Sequence, residues 1–473
     1  VNPRNTGILF VVALVVVGGV WWNENVRKGQ AEVAEAQARE LFPDVTTGDV
    51  TFVALETTDG RAARLERRDD GFRLVEPLDF APDRTAVDGI VGALAEVKSE
   101  AVIESPQDEA VYGLGEGADV VRFGAGDAEH VLHLGGKTPV GSNTYARRDD
   151  DPAVYTIPTF RANALRRSLD DLRDKRVLSF DREAIDRVDL SWRGGEVALV
   201  REDDGWRVVA PLEDDADDET VDALLSDLSF LRADGFVDDP PPDPEIGLDR
   251  PVFEARLTAE AEGEGEARIF HLLVGDDLGG NERAARGRES ATFRIPNERL
   301  DDFPRRVAAY RFKQLASFVP SDARQLEIAF PDPEAGAHVV IAEHGEDGWT
   351  SSPELLAPGR AARMVAELST LHGSDIVADA MSEAEQAALG LVPGHVVLRV
   401  RGEAGAEGGP GEVLAEVVLG EADHEHGIAA RALGSDRIYR IDYELAEHLP
   451  ISLEALRNRF LSKEEAAPAA PDA

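Results

Sequence analysis

The chain of 473 residues contains no cysteine, so disulfides, thiolate metal sites, a cysteine nucleophile and a lipid-modified cysteine anchor are all excluded. Lysine occurs only at Lys28, Lys98, Lys137, Lys175, Lys313 and Lys463, which leaves arginine to carry nearly all the positive charge. Positive charge is itself in deficit, because 92 acidic against 50 basic side chains give a formal charge of -42. Such a surface repels a phosphate backbone, and no basic stripe offsets it, so no nucleic acid is expected as a partner. The acidity and the Arg, Ala, Gly and Val bias fit a GC-rich genome or adaptation to salt, and neither implies a function.

Long apolar runs are also rare. The run at 7–22, "GILFVVALVVVGGVWW", is uncharged, follows Arg4 and precedes "NENVRKGQ". It lies at the short edge of a spanning helix, and Trp21 and Trp22 suit a membrane interface. A cleaved signal peptide is the rival, but Gly18, Gly19 and Val20 lead straight into tryptophans without a small-x-small site. We therefore expect a retained transmembrane anchor at 1–22, inserted in the bilayer of a bacterial inner (cytoplasmic) membrane. The expected topology is single-pass, with the bulk of the chain extracytoplasmic, and a juxtamembrane helical stalk at 23–47 ended near Pro43.

What the sequence has in abundance is repetition. "DDGFRLVEP" at 69–77 returns as "DDGWRVVAP" at 203–211 and, more loosely, as "EDGWTSSP" at 346–353. A second phrase recurs as "YGL", "IGL" and "LGL", and its glycines Gly113, Gly247 and Gly390 each follow the turn glycines Gly71, Gly205 and Gly348 by 42 residues. Between the landmarks the copies align without a gap. Val87, Val221 and Met364 then coincide, as do Val91, Leu225 and Leu368, and Leu94, Leu228 and Leu371, which spells one amphipathic helix per copy. Met364 is thereby read as core filler rather than a ligand.

Beyond the second glycine, alternating runs such as "DVVRFGAG" and "HVLHLGG" predict a hairpin. A further hairpin carries Arg147, Arg286 and Arg431, and a closing helix ends in "LRDKRVLSF", "YRFKQLASF" and "LRNRFLS". The predicted architecture is α+β: an N-terminal transmembrane helix, then three tandem repeat units, each an antiparallel sheet with two helices. The units span 48–180, 181–318 and 319–462, followed by a disordered tail at 463–473.

The combination of "NPRNT" plus an apolar helix, repeated "DGW", "GL", "YAR" and "LRDKRVL" resembles a large bacterial family of membrane-anchored proteins of unknown function. Members often accompany the permease and ATPase of gliding-motility-type ABC transporters. The resemblance implies permease and ATPase subunits as partners and transfers no catalytic residue. "EDGWTSSPELLAPGR" in the third copy departs from the pattern, lacking the acidic helix start of the others.

Chemical motifs fail one by one. "GGKT" at 135–138 would need an earlier glycine where Val131 stands, so it is not a phosphate loop. "DHEHG" sets His424 and His426 on one side of a strand, but offers no third metal ligand and reads as a hairpin tip. The acidic runs "DDADDE" and "DDPPPDPE" lack the order of a calcium loop. Arg147, Arg286 and Arg431 could hold an anion or, since they recur, an ion pair inside each unit. No catalytic, cofactor-binding or metal-ligating residue is nominated and no cofactor is expected. The expectation is a non-enzymatic extracytoplasmic accessory or scaffold protein of an ABC-transporter-like complex. The alternatives are a binding protein for a polysaccharide, peptide or cation and, more weakly, a carboxylate-based hydrolase.

Overall fold

The computed structural model describes residues 39–56, 60–260, 266–403 and 410–462. The proposed anchor at 1–22, most of the stalk and the tail at 463–473 lie outside them. Among the described residues no helix is long and apolar enough to cross a membrane.

In the first repeat the turn phrase does what its composition dictates. Asp69 and Asp70 form the turn, and Gly71, at φ +123°, resumes the chain as a strand. Strands β1 (Val50–Glu56), β2 (Ala62–Arg68) and β3 (Gly71–Glu76) precede the long helix α1 (Arg84–Ala95), and β4 (Ala101–Ile103) follows it. Two hairpins then come from β5 (Asp119–Ala125), β6 (Ala128–Lys137), β7 (Asn143–Arg148) and β8 (Val154–Pro158). The sheet order is β3-β2-β1-β5-β6-β7-β8-β4, antiparallel throughout, so the helical connection leaves from one edge strand and returns at the other.

The second repeat repeats this plan with β9 (Ile185–Trp192), β10 (Gly195–Glu202), β11 (Gly205–Ala210), the extra β12 (Asp214–Asp215), α2 (Asp218–Phe230) and β13 (Gly235–Phe236). It closes with β14 (Phe253–Ala259), β15 (Arg268–Gly279), β16 (Glu282–Arg286) and β17 (Thr292–Pro296). The third has β18 (Gln325–Phe330), β19 (His338–Gly345), β20 (Gly348–Ser352), α3 (Arg360–Ser369) and β21 (Asp375–Ala378). After these come β22 (Val396–Arg401), β23 (Val413–Asp423), β24 (Gly427–Ala432) and β25 (Ile438–Ile441). The sheets hold eight, nine and eight strands.

The predicted stripe is the buried face of each long helix: Val87, Val91 and Leu94, then Val221, Leu225 and Leu228, then Met364 and Leu368, with Leu371 buried just past the helix end. Each large apolar side chain so buried stabilises the fold by roughly 1.5–3 kcal/mol. Met364 sits in the apolar core of the third repeat. The second landmark glycines are equally constrained. Gly113, Gly247 and Gly390 have φ of +68°, +71° and +71°, and in each a Cβ would lie 2.8 Å from a backbone nitrogen of the following hairpin, at Gly136, Asp276 and Glu421. Left-handed backbone and close approach together require glycine there.

Two expectations need correction. Each repeat has one long helix rather than two. Where a closing helix is predicted, the first repeat has the short helices Thr159–Leu165 and Leu169–Leu172, the second has 3-10 turns, and the third a three-residue helix running into a π turn. The first two closing phrases are largely extended, because their backbone groups are taken by neighbouring segments, whereas the third stays helical over Leu456–Phe460. Leu172 accepts from Asp83 N–H and Asp174 donates to Ala81; then Val177 donates to Leu231 and Ala233 to Lys175. Tyr310 and Phe312 bond in the same way to Asp217 and Asp215, while Leu315 and Lys313 bond to Leu371 and Gly373. The second departure is at the entry, where residues 39–47 form turns and a bridge rather than a helix, and bury Leu41, Phe42 and Val45.

The chain divides into two compact units. One holds 1–179, 231–248 and 276–297, the other 180–230, 249–275 and 298–473, so the division passes through the second sheet. The exit of the first repeat is bonded to second-repeat segments within the first compact unit. The exit of the second is bonded to third-repeat segments within the second.

Candidate functional site

The recurring arginines serve the fold in two copies. Arg286 makes a bidentate pair with Asp243 at 2.7 and 2.8 Å, and this guanidinium holds the Asp243 carboxyl below its ordinary value. Arg147 approaches Glu109 at 3.4 Å. Glu109 and Asp243 occupy equivalent places in the gapless alignment, and the third copy has Gln386 there. Arg431 accordingly has no carboxylate partner among the described residues, and its Nε is buried without a hydrogen bond.

The acidic runs are spent on cations of the chain itself. Asp214 accepts from Arg311 at 2.6 Å and pairs with Arg437 at 2.9 Å, and Asp217 accepts from Lys313 at 3.1 Å. Asp238 receives Arg173 at 2.5 Å, and Arg61 also reaches it. Burial of Asp217 raises its pKa, yet bonds from Thr220 N–H and Lys313 outweigh this and hold it below the ordinary value. "DHEHG" is a hairpin tip as expected, its turn residues 424–426 lying between strand ends Asp423 and Gly427: His426 bonds Asp423 at 3.1 Å, while the His424 ring lies 3.8 Å from that of Tyr443. Among the described residues no group of three or more His, Asp or Glu could hold a metal ion. His133 and His271 are tied to Asp149 at 2.5 Å and Glu254 at 2.7 Å, and Gly135 of "GGKT" packs against the Tyr112 carbonyl, where a Cβ would meet it at 2.3 Å.

The residues that sequence reasoning missed surround the turn phrase of the first repeat. A cavity of about 860 Å³ in the first compact unit is bounded by the β2–β3 turn, the start of α1, the exit of the first repeat and Arg288. Five arginines line it against three aspartates, an inversion of the chain's overall charge balance. Three of the five are neutralised: Arg73 by Asp79 at 2.5 Å and Glu289 at 3.0 Å, Arg176 by Asp174 at 2.6 Å, and Arg288 by Asp174 at 2.7 Å.

Two are not. Arg67 donates only to the carbonyls of Val50 and Thr47, at 2.7 and 2.8 Å, and lies over the Phe72 ring at 4.5 Å. Arg84, exposed in the first turn of α1, has no hydrogen-bond or ion-pair partner among the described residues. The signal that could have exposed this site is in the alignment, since Arg84 stands where the second repeat has Asp218 and the third Ala361.

A model of the family described as Domain of unknown function (DUF4340) matches residues 73–251 and, a second time, residues 206–393. Each match begins inside the turn phrase of one repeat, in the strand that follows its glycine, and ends just beyond the second landmark glycine of the next. No curated protein and no solved structure matches the chain.

Proposed function

This chain belongs to the family of domains of unknown function designated DUF4340, and from that premise we propose a non-enzymatic accessory or scaffold role in a membrane complex of the ABC-transporter type. In this reading residues 7–22 anchor the chain in a bacterial inner membrane, the repeats stand on its extracytoplasmic side, and permease and ATPase subunits complete the complex.

One observation carries the reading. The exit of the first repeat is hydrogen-bonded through Val177 and Lys175 to Leu231 and Ala233, and the exit of the second through Leu315 and Lys313 to Leu371 and Gly373. Within each compact unit the end of one repeat is therefore bridged to a segment of the next instead of leaving it by a flexible linker, which suits a scaffold. The recurrent polar groups support the same reading, because Arg147, Arg286 and the buried Arg173 and Arg311 are consumed in ion pairs.

The test is extraction of the native complex in mild detergent, chemical crosslinking and identification of the chains recovered with it. Permease and ATPase subunits are the expected companions. Recovery of this chain alone, under conditions that keep other membrane complexes together, would overturn the assignment.

A further inference from the structure

The three copies of the turn phrase differ in what faces them. In the second repeat the Trp206 N–H donates to Asp218 at 2.7 Å, and a Cβ added to Gly205 would lie 2.6 Å from that carboxylate. A carboxylate borne by α2 thus fills the space between turn and helix. In the first repeat the corresponding Gly71 has nothing within 4 Å of an added Cβ, and Arg84 replaces the aspartate.

The backbone donor is retained while its acceptor is not. In a two-residue hairpin the pair flanking the turn, Arg68 with Gly71, is hydrogen-bonded, so the next pair, Arg67 with Phe72, points its N–H groups away from the partner strand. β3 is an edge strand, so no further strand takes up the Phe72 N–H. Around this N–H stand the two arginines of the cavity that lack a carboxylate, Arg67 with its Nη1 unused and Arg84 with its whole guanidinium unused.

We propose that this cleft is a binding site for the carboxylate of an aspartate or glutamate side chain on a peptide segment of a partner. The ligand carboxylate takes the place that Asp218 occupies in the second repeat. It accepts from Phe72 N–H and pairs with Arg67 and Arg84, charge-assisted contacts of the kind that recognise carboxylates strongly. A peptide fits better than a small anion because the internal analogue is an aspartate side chain on a strand N–H, and because about 860 Å³ accommodates flanking residues. Asp70 and Asp88 also line the cavity and are exposed, so the segment presents one acid among neutral or basic neighbours rather than an acidic run. The site is independent of the transporter assignment and stands or falls separately from it.

The test uses the full chain labelled with [15N]phenylalanine, with the Phe72 amide assigned by its loss in Phe72→Leu. The probe is the peptide acetyl-Ala-Ala-Asp-Ala-Ala-amide, with its asparagine counterpart and inorganic phosphate as the other arms. The aspartyl peptide is expected to shift the Phe72 amide saturably below about 10 mM, as suits one charge-assisted contact set, while the asparaginyl peptide leaves it unmoved. Arg84→Asp recreates the arrangement of the second repeat; its Phe72 amide should be shifted without ligand and should respond at least about tenfold more weakly. Arg84→Ala, which adds no competing carboxylate, should weaken binding several-fold without that intrinsic shift. An unmoved Phe72 amide in the wild type, equal response to the asparaginyl peptide or to phosphate, or undiminished binding in both folded Arg84 variants would each overturn the proposal.

Discussion

Arg311, at the exit of the second repeat, donates through Nε to Asp214 at 2.6 Å and through both Nη atoms to Asp379 of the third, while only 5% of the residue is exposed. One buried guanidinium thus ties the helix approach of one repeat to the edge-strand region of the next. Arg311→Met would strand Asp214, although Arg437 at 2.9 Å still covers part of its charge. The expected loss is about 2–4 kcal/mol, read as a lower urea midpoint. A variant as stable as the parent would show that the packed aliphatic chain, not the charge, matters here.

The second landmark glycines offer a test of backbone crowding. Gly390→Ala must place a Cβ 2.8 Å from the Glu421 nitrogen at φ +71°, whereas Gly348→Ala at φ +102° meets nothing within 4 Å. The first should cost about 2–4 kcal/mol and the second only the conformational strain of about 1–2 kcal/mol. Equal losses on thermal unfolding would refute the role given to close approach.

Acid sensitivity should come from a few carboxylates. Burial raises the pKa of Asp174, but hydrogen bonds from Arg176, both side chain and backbone, and from Arg288 outweigh it and hold the group below its ordinary 3.8. A carboxyl depressed in the folded state contributes stability that is fully present above 3.8 and is lost as pH falls through the lower folded value. Melting temperature should therefore hold or rise from pH 7 toward 5, as repulsion among the surface acids relaxes, and fall steeply below about 4. Asp174→Asn should be less stable at neutral pH and should flatten the acid limb. An unchanged acid limb in that variant would move the sensitivity elsewhere, for instance to Asp217.

The unpaired Arg431 invites repair. Gln386→Glu restores the carboxylate that Glu109 and Asp243 provide in the other repeats, and should raise the melting temperature by about 1–3 °C at low salt. The gain should vanish at about 1 M salt, where surface charges are screened, and in Arg431→Met. A gain indifferent to both would be a helix-propensity effect.

The fold was legible wherever local chemistry decides it. Asp-Asp-Gly turns, the Val87, Val91 and Leu94 stripe, and the hairpins after Gly113 all follow from periodicity and turn preference. The exits of the repeats were not, because "LRDKRVL" has the composition of a helix, and only distant partners such as Leu231 and Ala81 draw it out into an extended segment. The acidic runs looked like solvated surface for the same reason: the arginines that neutralise Asp214 and Asp238 lie 97 and 65 residues away. The candidate site was hidden by the strength of the repeat itself. Phe72, Trp206 and Trp349 read as one structural joint, and the change that matters is the neighbour at position 84, 218 or 361.

The backbone bridges at the repeat exits have a consequence for how such a chain lengthens or shortens over generations. The two family matches run from the third strand of one copy into the first half of the next, so the stretch the family model covers is offset from the stretch that closes one sheet. A deletion or duplication of one period leaves every bridge with a partner of the same kind wherever its breakpoints fall, provided they fall at equivalent positions in two copies. A cut at the end of a sheet instead orphans Lys175 and Val177, or Lys313 and Leu315, from the segments they bond to. Genes of this kind should vary in length by whole periods, with breakpoints free to wander inside the repeat.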